Sequence, residues 1–450
     1  NIKKKISNTG LKCFLKYGYI PEPYSILENV FKLEAGSIGE FSLIDKKMNI
    51  KKYWNINFNL DDVNKVKNEK KILNNLDDLI TESVKLRMTS DFPVGIFLSG
   101  GVDSSLITSY MSELSNEPIN SFTIGFKNKL FDESNHATSI SKLLKTNHHE
   151  FILDESSIYD ILINYHDLYD EPFGDISILP MAFLSKKTKK TVKVVLSADG
   201  GDELFFGYDK YRKILNRKKK SDLIPKFIKN LFKKNQNLFG IGENKNFDYI
   251  KNQRLIDWLK SESEMTNSVE ITKLLKSDTQ IKTNFDMIFK NNDSFNEMLF
   301  LDLKTFLLDD ILWKVDRSSM LSGLEARDPL LDFKLVEYSL KIPENIKFKN
   351  TSLKYLLKQL AYKKLPKQLI DRPKKGFDLS VVELTLKLLK NLGNILLNRE
   401  IIDNQNLFNF DKITSLREEI NNKKYHNIGQ MWLILIFQIW YFRFMNLRMN

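Results

Sequence analysis

Apolar residues recur at helical spacing over residues 70–88, where Ile72, Leu76, Leu79, Ile80, Val84 and Met88 share one face, and Pro93 marks the break that follows. The next run, Val94 to Leu98, is short and continuously apolar, which is the pattern of a buried strand. Beyond it the chain alternates. A helix continues from Leu106 to Met111, and Ser121–Phe126 reads as a strand. A helix from about Glu133 to Leu144, a strand near His149–Leu153, a helix near Ile158–Leu168 and a β-rich run Val192–Leu196 follow. This alternation predicts an α/β fold, a parallel sheet with helices on both faces. Ligands of such sheets bind at the carboxyl ends of the strands, so the residues after Leu98, Ile124 and Leu196 are expected to face one crevice.

From about residue 255 the pattern turns mostly helical. Phe300–Val315 is strongly apolar with Asp302, Asp309 and Asp310 interspersed, and 352–362 and 378–390 also read as helices expected to close the crevice. The most hydrophobic stretch, Met431–Met445, is interrupted by Gln438 and Arg443. It is shorter than the ~20 apolar residues a membrane span needs, so a buried C-terminal helix is predicted and no membrane partner. No internal repeat is visible.

The 450 residues suffice for one large α/β domain with an appendage, or for two domains. The net charge of +12 raises the question of nucleic acid, but the lysines are scattered among asparagines and isoleucines. The one dense basic stretch, Arg217–Lys220 with Lys226, Lys229, Lys233 and Lys234, reads as a solvated surface segment, and no nucleic-acid partner is expected. Cys13 is the only cysteine, flanked by apolar residues, which excludes a disulfide within the chain and fits a core position and a reducing cytoplasm. His148 and His149 have no third ligand spaced to complete a metal site and read as packed or surface residues.

The chemistry concentrates at two strand ends. After Phe97 and Leu98 comes Ser99-Gly100-Gly101-Val102-Asp103-Ser104-Ser105. Two glycines let backbone amides approach an anion, three serines supply hydroxyl donors, and a helix start directs its positive end to the same point. Asp103 would repel a phosphate unless a cation lay between them, which implies Mg²⁺ shared with a polyphosphate. No Gly-Lys-Ser/Thr follows, so this is not a Walker A loop. After Leu196 comes Ser197-Ala198-Asp199-Gly200-Gly201-Asp202-Glu203, followed by Leu204-Phe205-Phe206-Gly207-Tyr208. Three carboxylates so close together need a cation or a basic group nearby.

The first loop resembles the pyrophosphate loop of the N-type ATP pyrophosphatases. With the second segment, the chain from about Leu60 to its end resembles the synthetase domain of glutamine-dependent asparagine synthetases. The likeness includes Asp132-Glu133-Ser134, Asp170-Glu171-Pro172 with Asp175 and Ser177, Asp316-Arg317, Gly323–Pro329 and Arg372-Pro373-Lys374-Lys375-Gly376-Phe377. Ala198 and Phe206 depart from it, standing where the family usually has glycine, and could crowd the loop slightly.

The resemblance implies an adenine nucleotide alpha hydrolase-like sheet and ATP-dependent amidation of aspartate through a β-aspartyl-adenylate, with ammonia normally drawn from glutamine. It implies that Ser99–Ser105 bind pyrophosphate, that Asp103 and Asp202 hold Mg²⁺, and that Phe97, Leu98, Ile124, Ser197 and Ala198 line the ATP site. Asp199 would be the general base, and Lys374 would stabilise the adenylation transition state. Asp175, Ser177, Glu203 and Tyr208 are candidates for the substrate pocket. Arg317 and Arg327 either neutralise phosphate or pair with Asp316 and Asp328. A homodimer is a family expectation.

The resemblance also implies two domains, with 60–450 the synthetase and 1–58 the remnant of an N-terminal glutaminase of the Ntn amidotransferase type. Residues 11–36 look like that domain's tail, with Tyr53-Trp54 closing it, and Cys13 is not its nucleophile. A chain opening on Asn1 looks like a fragment; complete, it would use free ammonia only. Three rivals remain: a related amidation or cyclisation, such as β-lactam formation or amidation of a surface sugar or peptide; a tRNA-modifying pyrophosphatase, which one cysteine disfavours; and a silent interaction module.

Overall fold

The computed structural model describes residues 4–56, 68–126, 132–164, 168–225, 227, 229, 254–276, 279–286, 294–371 and 381–445. Helix α1 (Asn8–Tyr17) leads into an antiparallel hairpin, β1 (Ser37–Ser42) and β2 (Lys47–Lys52). The α/β unit then begins with α2 (Glu69–Arg87), whose first turn is capped by the Asn68 side chain accepting from the Lys71 amide at 3.0 Å. In chain order follow β3 (Val94–Phe97), α3 (Val102–Leu114), β4 (Asn120–Phe126), α4 (Ser134–Leu144), β5 (Asn147–Leu153), α5 (Glu155–Ile163), α6 (Ile178–Thr188) and β6 (Val194–Leu196).

These strands and β7 (Glu325–Arg327) form a five-stranded parallel sheet in the order β5-β4-β3-β6-β7. The chain adds strands outward on one side of β3 and then crosses to add β6 on the other. The crevice of such a sheet lies where the order reverses, between the carboxyl ends of β3 and β6. Both faces are covered, as the unbroken apolar run of β3 requires. Ile96 and Leu98 pack into one core cluster with residues of α2, α3 and α4, while Phe97 enters a second with α6 and the C-terminal helices.

The later helices build the second layer. They are α7 (Gly201–Leu204) and α8 (Asp209–Asp222), then a continuous helical rod formed by α9 (Phe295–Asp302), a π-helical stretch over Leu303–Ile311 and α10 (Leu312–Met320). After β7 come α11 (Tyr355–Lys364), α12 (Val381–Leu396) and α13 (Ile428–Phe444). Helix α13 is buried nearly all round. Its interrupting Gln438 exchanges amide hydrogen bonds with Gln405 at 2.7 and 2.9 Å, and Arg443 reaches solvent. Among the described residues no helix is long and apolar enough to cross a membrane.

Several elements depart from the sequence reading. The helix predicted to reach Leu168 ends at Ile163, and residues 165–167 lie outside the described part. Helix α6 was not legible because Ile178-Leu179-Pro180 and Ala182-Phe183-Leu184 are buried on every side, which erases the 3.6-residue period. Strand β7 is three residues long and carries Glu325 and Arg327, so nothing in its pattern marks a strand. The hairpin shows no buried stripe at all, its residues being half-buried at most.

Cys13 is fully buried in α1, and burial pushes its thiol up to about 12, as a core position requires. His148 is held by the Ser121 hydroxyl at 2.8 Å, and His149 stacks on Phe122. Among the described residues no cluster of three potential metal ligands occurs. Arg217 pairs with Glu262, and Lys218 with Asp222 at 3.2 Å.

A relay of two hydrogen bonds through Gly174 links the C-terminal layer to the front of the chain. Trp432 Nε1 donates to the Gly174 carbonyl at 2.8 Å, while the Gly174 amide donates to Gly18 at the end of α1 at 2.6 Å. Replacing Trp432 by Phe leaves the Gly174 carbonyl without its buried donor and is expected to lower the unfolding free energy by about 1–3 kcal/mol, measured by urea denaturation.

Candidate functional site

The Ser99–Ser105 loop leaves β3 and turns at Gly100, whose φ of +72° is left-handed. A Cβ there would lie 2.7 Å from the Ala137 amide nitrogen of α4, so glycine is required both by conformation and by space. The serines hold the turn. Ser99 Oγ and Ser104 Oγ are 2.9 Å apart, and the Ser99 amide donates to Ser104 Oγ at 3.2 Å. No side chain caps this 13-residue helix at its N-cap Gly101, and its positive end faces the loop. Ser105 Oγ is fully buried without a partner.

The second loop leaves β6, which pairs with β3 at Leu196 opposite Ile96. Gly201 lies directly against Asp103, since a Cβ there would sit 2.6–2.9 Å from the Asp103 carboxylate atoms. Asp103 and Asp202 thus converge from two strand ends, as the sequence predicted. Their meeting point is occupied by a residue the sequence reading missed. Lys354, at the start of α11, touches Asp103 Oδ2 and lies 2.9 Å from Asp202 Oδ1. Burial alone would lower its pKa, but Asp103 and Asp202 raise it above the usual lysine value, so it stays an ammonium.

Asp199 sits beside this group and accepts from the Ser197 hydroxyl. Burial pushes its carboxyl up, reinforced by the charge of Asp202; the Ser197 bond and the ammoniums of Lys314 and Lys354 act the other way. Asp328 faces Asp199 and is held well above the usual carboxylate range by burial and by that charge. Lys314 is a second missed residue. It donates to Asp175 Oδ2 at 2.9 Å, and Ser177 donates to Asp175 through its amide at 2.9 Å and its hydroxyl at 2.7 Å. Burial works against ionisation of Asp175, but Lys314 and Ser177 together hold its carboxyl below the usual range. Asp310, four residues before Lys314, is pushed well above that range by burial and by Asp175. The signal for Lys314 was a lysine inside an apolar run next to two aspartates; such a lysine is buried only when paired. Lys354 opens an ordinary amphipathic run and carried no such signal.

The remaining candidates divide. Phe97, Leu98, Ile124 and Ser197 are buried at the carboxyl ends of their strands, and the Ser197 amide is bound to the Arg327 carbonyl at 2.9 Å. Ala198, beside them, is half-buried. Glu203 faces Tyr208, whose hydroxyl donates to it at 2.5 Å, and Tyr208 packs on Tyr211 and Phe306. Burial and the neighbouring Asp202 lift the Glu203 carboxyl to about 7. Lys374 lies outside the described residues.

Two expectations are corrected. Phe206 does not crowd the loop, because at φ +58° its ring turns into the core against Tyr211, Phe295 and Phe348. Arg317 and Arg327 do not pair with Asp316 and Asp328. Arg317 reaches Asp170 at 3.3 Å across the Trp313 ring, and Arg327 binds Glu325 and the carbonyls of Arg87 and Thr89, which ties β7 to the end of α2.

Comparison with known proteins places these features in a context. Residues 75–441 match the asparagine synthase family. "Asparagine synthetase [glutamine-hydrolyzing] 1" of Bacillus subtilis is 29% identical over 454 residues, covering 97% of this chain and 69% of that protein. "Putative asparagine synthetase [glutamine-hydrolyzing] 2" of Methanocaldococcus jannaschii is 33% identical over 335 residues, covering 72% of this chain and 62% of that protein. The chain therefore spans about two thirds of the length of these relatives. Among solved structures, the NH3-dependent NAD synthetase of Campylobacter jejuni is similar over 32% of this chain and 61% of its own, with 21% identity and a TM-score of 0.23.

The π-helical stretch beside the site gives a pH signature independent of these likenesses. Asp309 accepts from the Glu22 amide at 3.2 Å and has its other oxygen buried without a partner. Burial pushes its carboxyl from 3.8 to about 8, against the opposing charge of Lys32. The folded chain therefore holds this proton more tightly than the unfolded chain. The resulting stabilisation is complete below the unfolded value of 3.8 and is lost as pH rises through about 8. In Asp309→Asn, the fall in unfolding free energy between about pH 6 and about pH 9 is expected to be smaller than in the unsubstituted chain, as read by urea denaturation at the two pH values.

Proposed function

The chain belongs to the asparagine synthase family, and from that membership and the geometry of the β3/β6 crevice we propose that it carries out the ATP-dependent step of asparagine formation. The observation that carries this reading is the convergence of Asp103 and Asp202 on one cation position beside the uncapped start of α3. A side-chain carboxylate is a poor electrophile. Attack of aspartate on the α-phosphate of ATP would convert it to an acyl-adenylate and release pyrophosphate, and ammonia would then displace AMP.

The residues supply what each step needs. The amides at the start of α3 and the hydroxyls of Ser99, Ser104 and Ser105 would hold the pyrophosphate portion. The ATP base would lie along Phe97, Leu98, Ile124, Ser197 and Ala198. Asp103 and Asp202 fit a Mg²⁺ ion, since their hard oxygens already share one cation and Gly201 leaves the room a Cβ would fill. Two protein carboxylates suit an ion whose other ligands are water and phosphate oxygens; such an ion supplies charge neutralisation at the phosphates. Asp199 would take the proton that the attacking nitrogen loses, and its raised pKa makes it a stronger base than an ordinary carboxylate. Asp175, fixed by Lys314 and Ser177, is the pocket residue best placed to orient aspartate. Lys374 is assigned to the adenylation transition state from the family motif alone.

We read residues 1–58 as the end of a glutaminase domain that would supply ammonia. In the hairpin, Phe41 pairs with Met48 and Gly39 with Ile50, so one face is apolar; Phe41, Met48 and Ile50 are 54%, 59% and 59% exposed. A two-stranded hairpin with an open apolar face is marginal alone and gains stability from a covering layer.

Incubation with ATP, Mg²⁺, ammonium and aspartate is expected to yield asparagine, AMP and pyrophosphate. ADP and phosphate as products would exclude adenylation, and AMP formed only with another acid would favour the related amidation or cyclisation. Asp103→Ala is expected to abolish ATP–pyrophosphate exchange. Asp199→Asn should keep the exchange and lower asparagine formation by about 10²–10⁴-fold; an equal loss of both would remove Asp199 from the base role.

A further inference from the structure

The ammonium of Lys354 occupies the very position the two metal-type carboxylates define. It touches Asp103 Oδ2 from one strand end and lies 2.9 Å from Asp202 Oδ1 at the other. The placement is built into the backbone. Lys354 is held in the left-handed region, at φ 54° and ψ 34°, and its amide donates to the Phe206 carbonyl at 3.2 Å. A Cβ on Gly207 would fall 2.1 Å from Lys354 Cε and 2.0 Å from Asp202 Oδ1, so only glycine there leaves room for lysine and carboxylate together. The side chain is only 9% exposed.

A Mg²⁺ ion bound directly by the same carboxylates would sit about 2.0–2.1 Å from each oxygen, inside the volume the ammonium fills. Two cations in that space repel each other strongly because the surroundings are buried. We infer that Lys354 is a resident counter-ion, which fills the cation position between Asp103 and Asp202 while no metal is bound and has to vacate it for the metal to enter. The inference rests on the reading of those two carboxylates as metal ligands. A free metal ion must then compete with a tethered ammonium. A polyphosphate in the Ser99–Ser105 loop offers the displaced ammonium a new anionic partner. Metal and polyphosphate therefore enter as a pair, and metal alone binds weakly.

The test reads metal occupancy rather than turnover. Mn²⁺ is titrated by electron paramagnetic resonance, without nucleotide, into the unsubstituted chain, Lys354→Met, Lys354→Gln and Asp103→Asn/Asp202→Asn. Removing the lysine charge is expected to tighten Mn²⁺ binding by about tenfold or more, in the methionine and the glutamine variant alike. The thermal midpoint of these variants should also rise with Mn²⁺ more than that of the unsubstituted chain. Unchanged or weaker Mn²⁺ binding without the lysine would overturn the exchange. A site that survives Asp103→Asn/Asp202→Asn would overturn the metal assignment instead, so the two failures are distinguishable. Should neither lysine variant fold, the unsubstituted chain decides: millimolar Mn²⁺ affinity supports the competition, and micromolar or tighter affinity at these carboxylates without phosphate overturns it.

Discussion

The site depends on compensating carboxylates that the fold forces together. Asp103, Asp199, Asp202, Glu203 and Asp328 gather at the carboxyl ends of β3, β6 and β7, and Asp175 and Asp310 lie just beneath. Burial pushes the carboxyls of Asp199, Glu203, Asp310 and Asp328 upward. Two buried lysines divide the problem. Lys354 places its ammonium between Asp103 and Asp202, and Lys314 with Ser177 holds the Asp175 carboxyl below the usual range. Asp199, between the two ammoniums, retains an elevated affinity for a proton, the property a base needs.

That arrangement requires close backbone approach, and glycines provide it. Gly201 lets the second loop lie against Asp103, and Gly207 admits Lys354 beside Asp202. The lysines come from the later helices: Lys314 from the rod that passes through the π-helical stretch, and Lys354 from the start of α11. A π-helical winding shifts the side chains that follow it around the axis relative to an α-helix, and here Asp309 and Asp310 lie within it and Lys314 just after. The mostly helical half of the chain thus contributes charge to the site as well as cover.

Much of this was legible in the chain. The β3, β4, β5 and β6 strands, with α2, α3 and α4, stand out because a sheet covered on both faces needs apolar strands and amphipathic helices. The two Gly-Gly loops announced themselves because glycines, serines and acids packed at strand ends have few uses other than anions and cations. Helix α6 was hidden by burial on every side, and β7 by its length. The lysines were hidden for a different reason. Lys314 and Lys354 carry meaning only through partners 139 and 251 residues away, and a local pattern does not encode such pairings.

The sequence by itself determined the strand and helix alternation from α2 to α4 with β5 and β6, the parallel sheet, the two Gly-Gly loops and the family to which the chain belongs, because each depends on neighbours within a few residues or on motifs kept in order. The tertiary structure alone decided that Asp103 and Asp202 share one ammonium, that Asp175 is tied to Lys314, that Glu203 turns to Tyr208, and that Arg317 reaches Asp170 and Arg327 reaches Glu325 and the Arg87 carbonyl. Electrostatic compensation acts through space between residues far apart along the chain, and only the folded arrangement brings those charges within reach of one another.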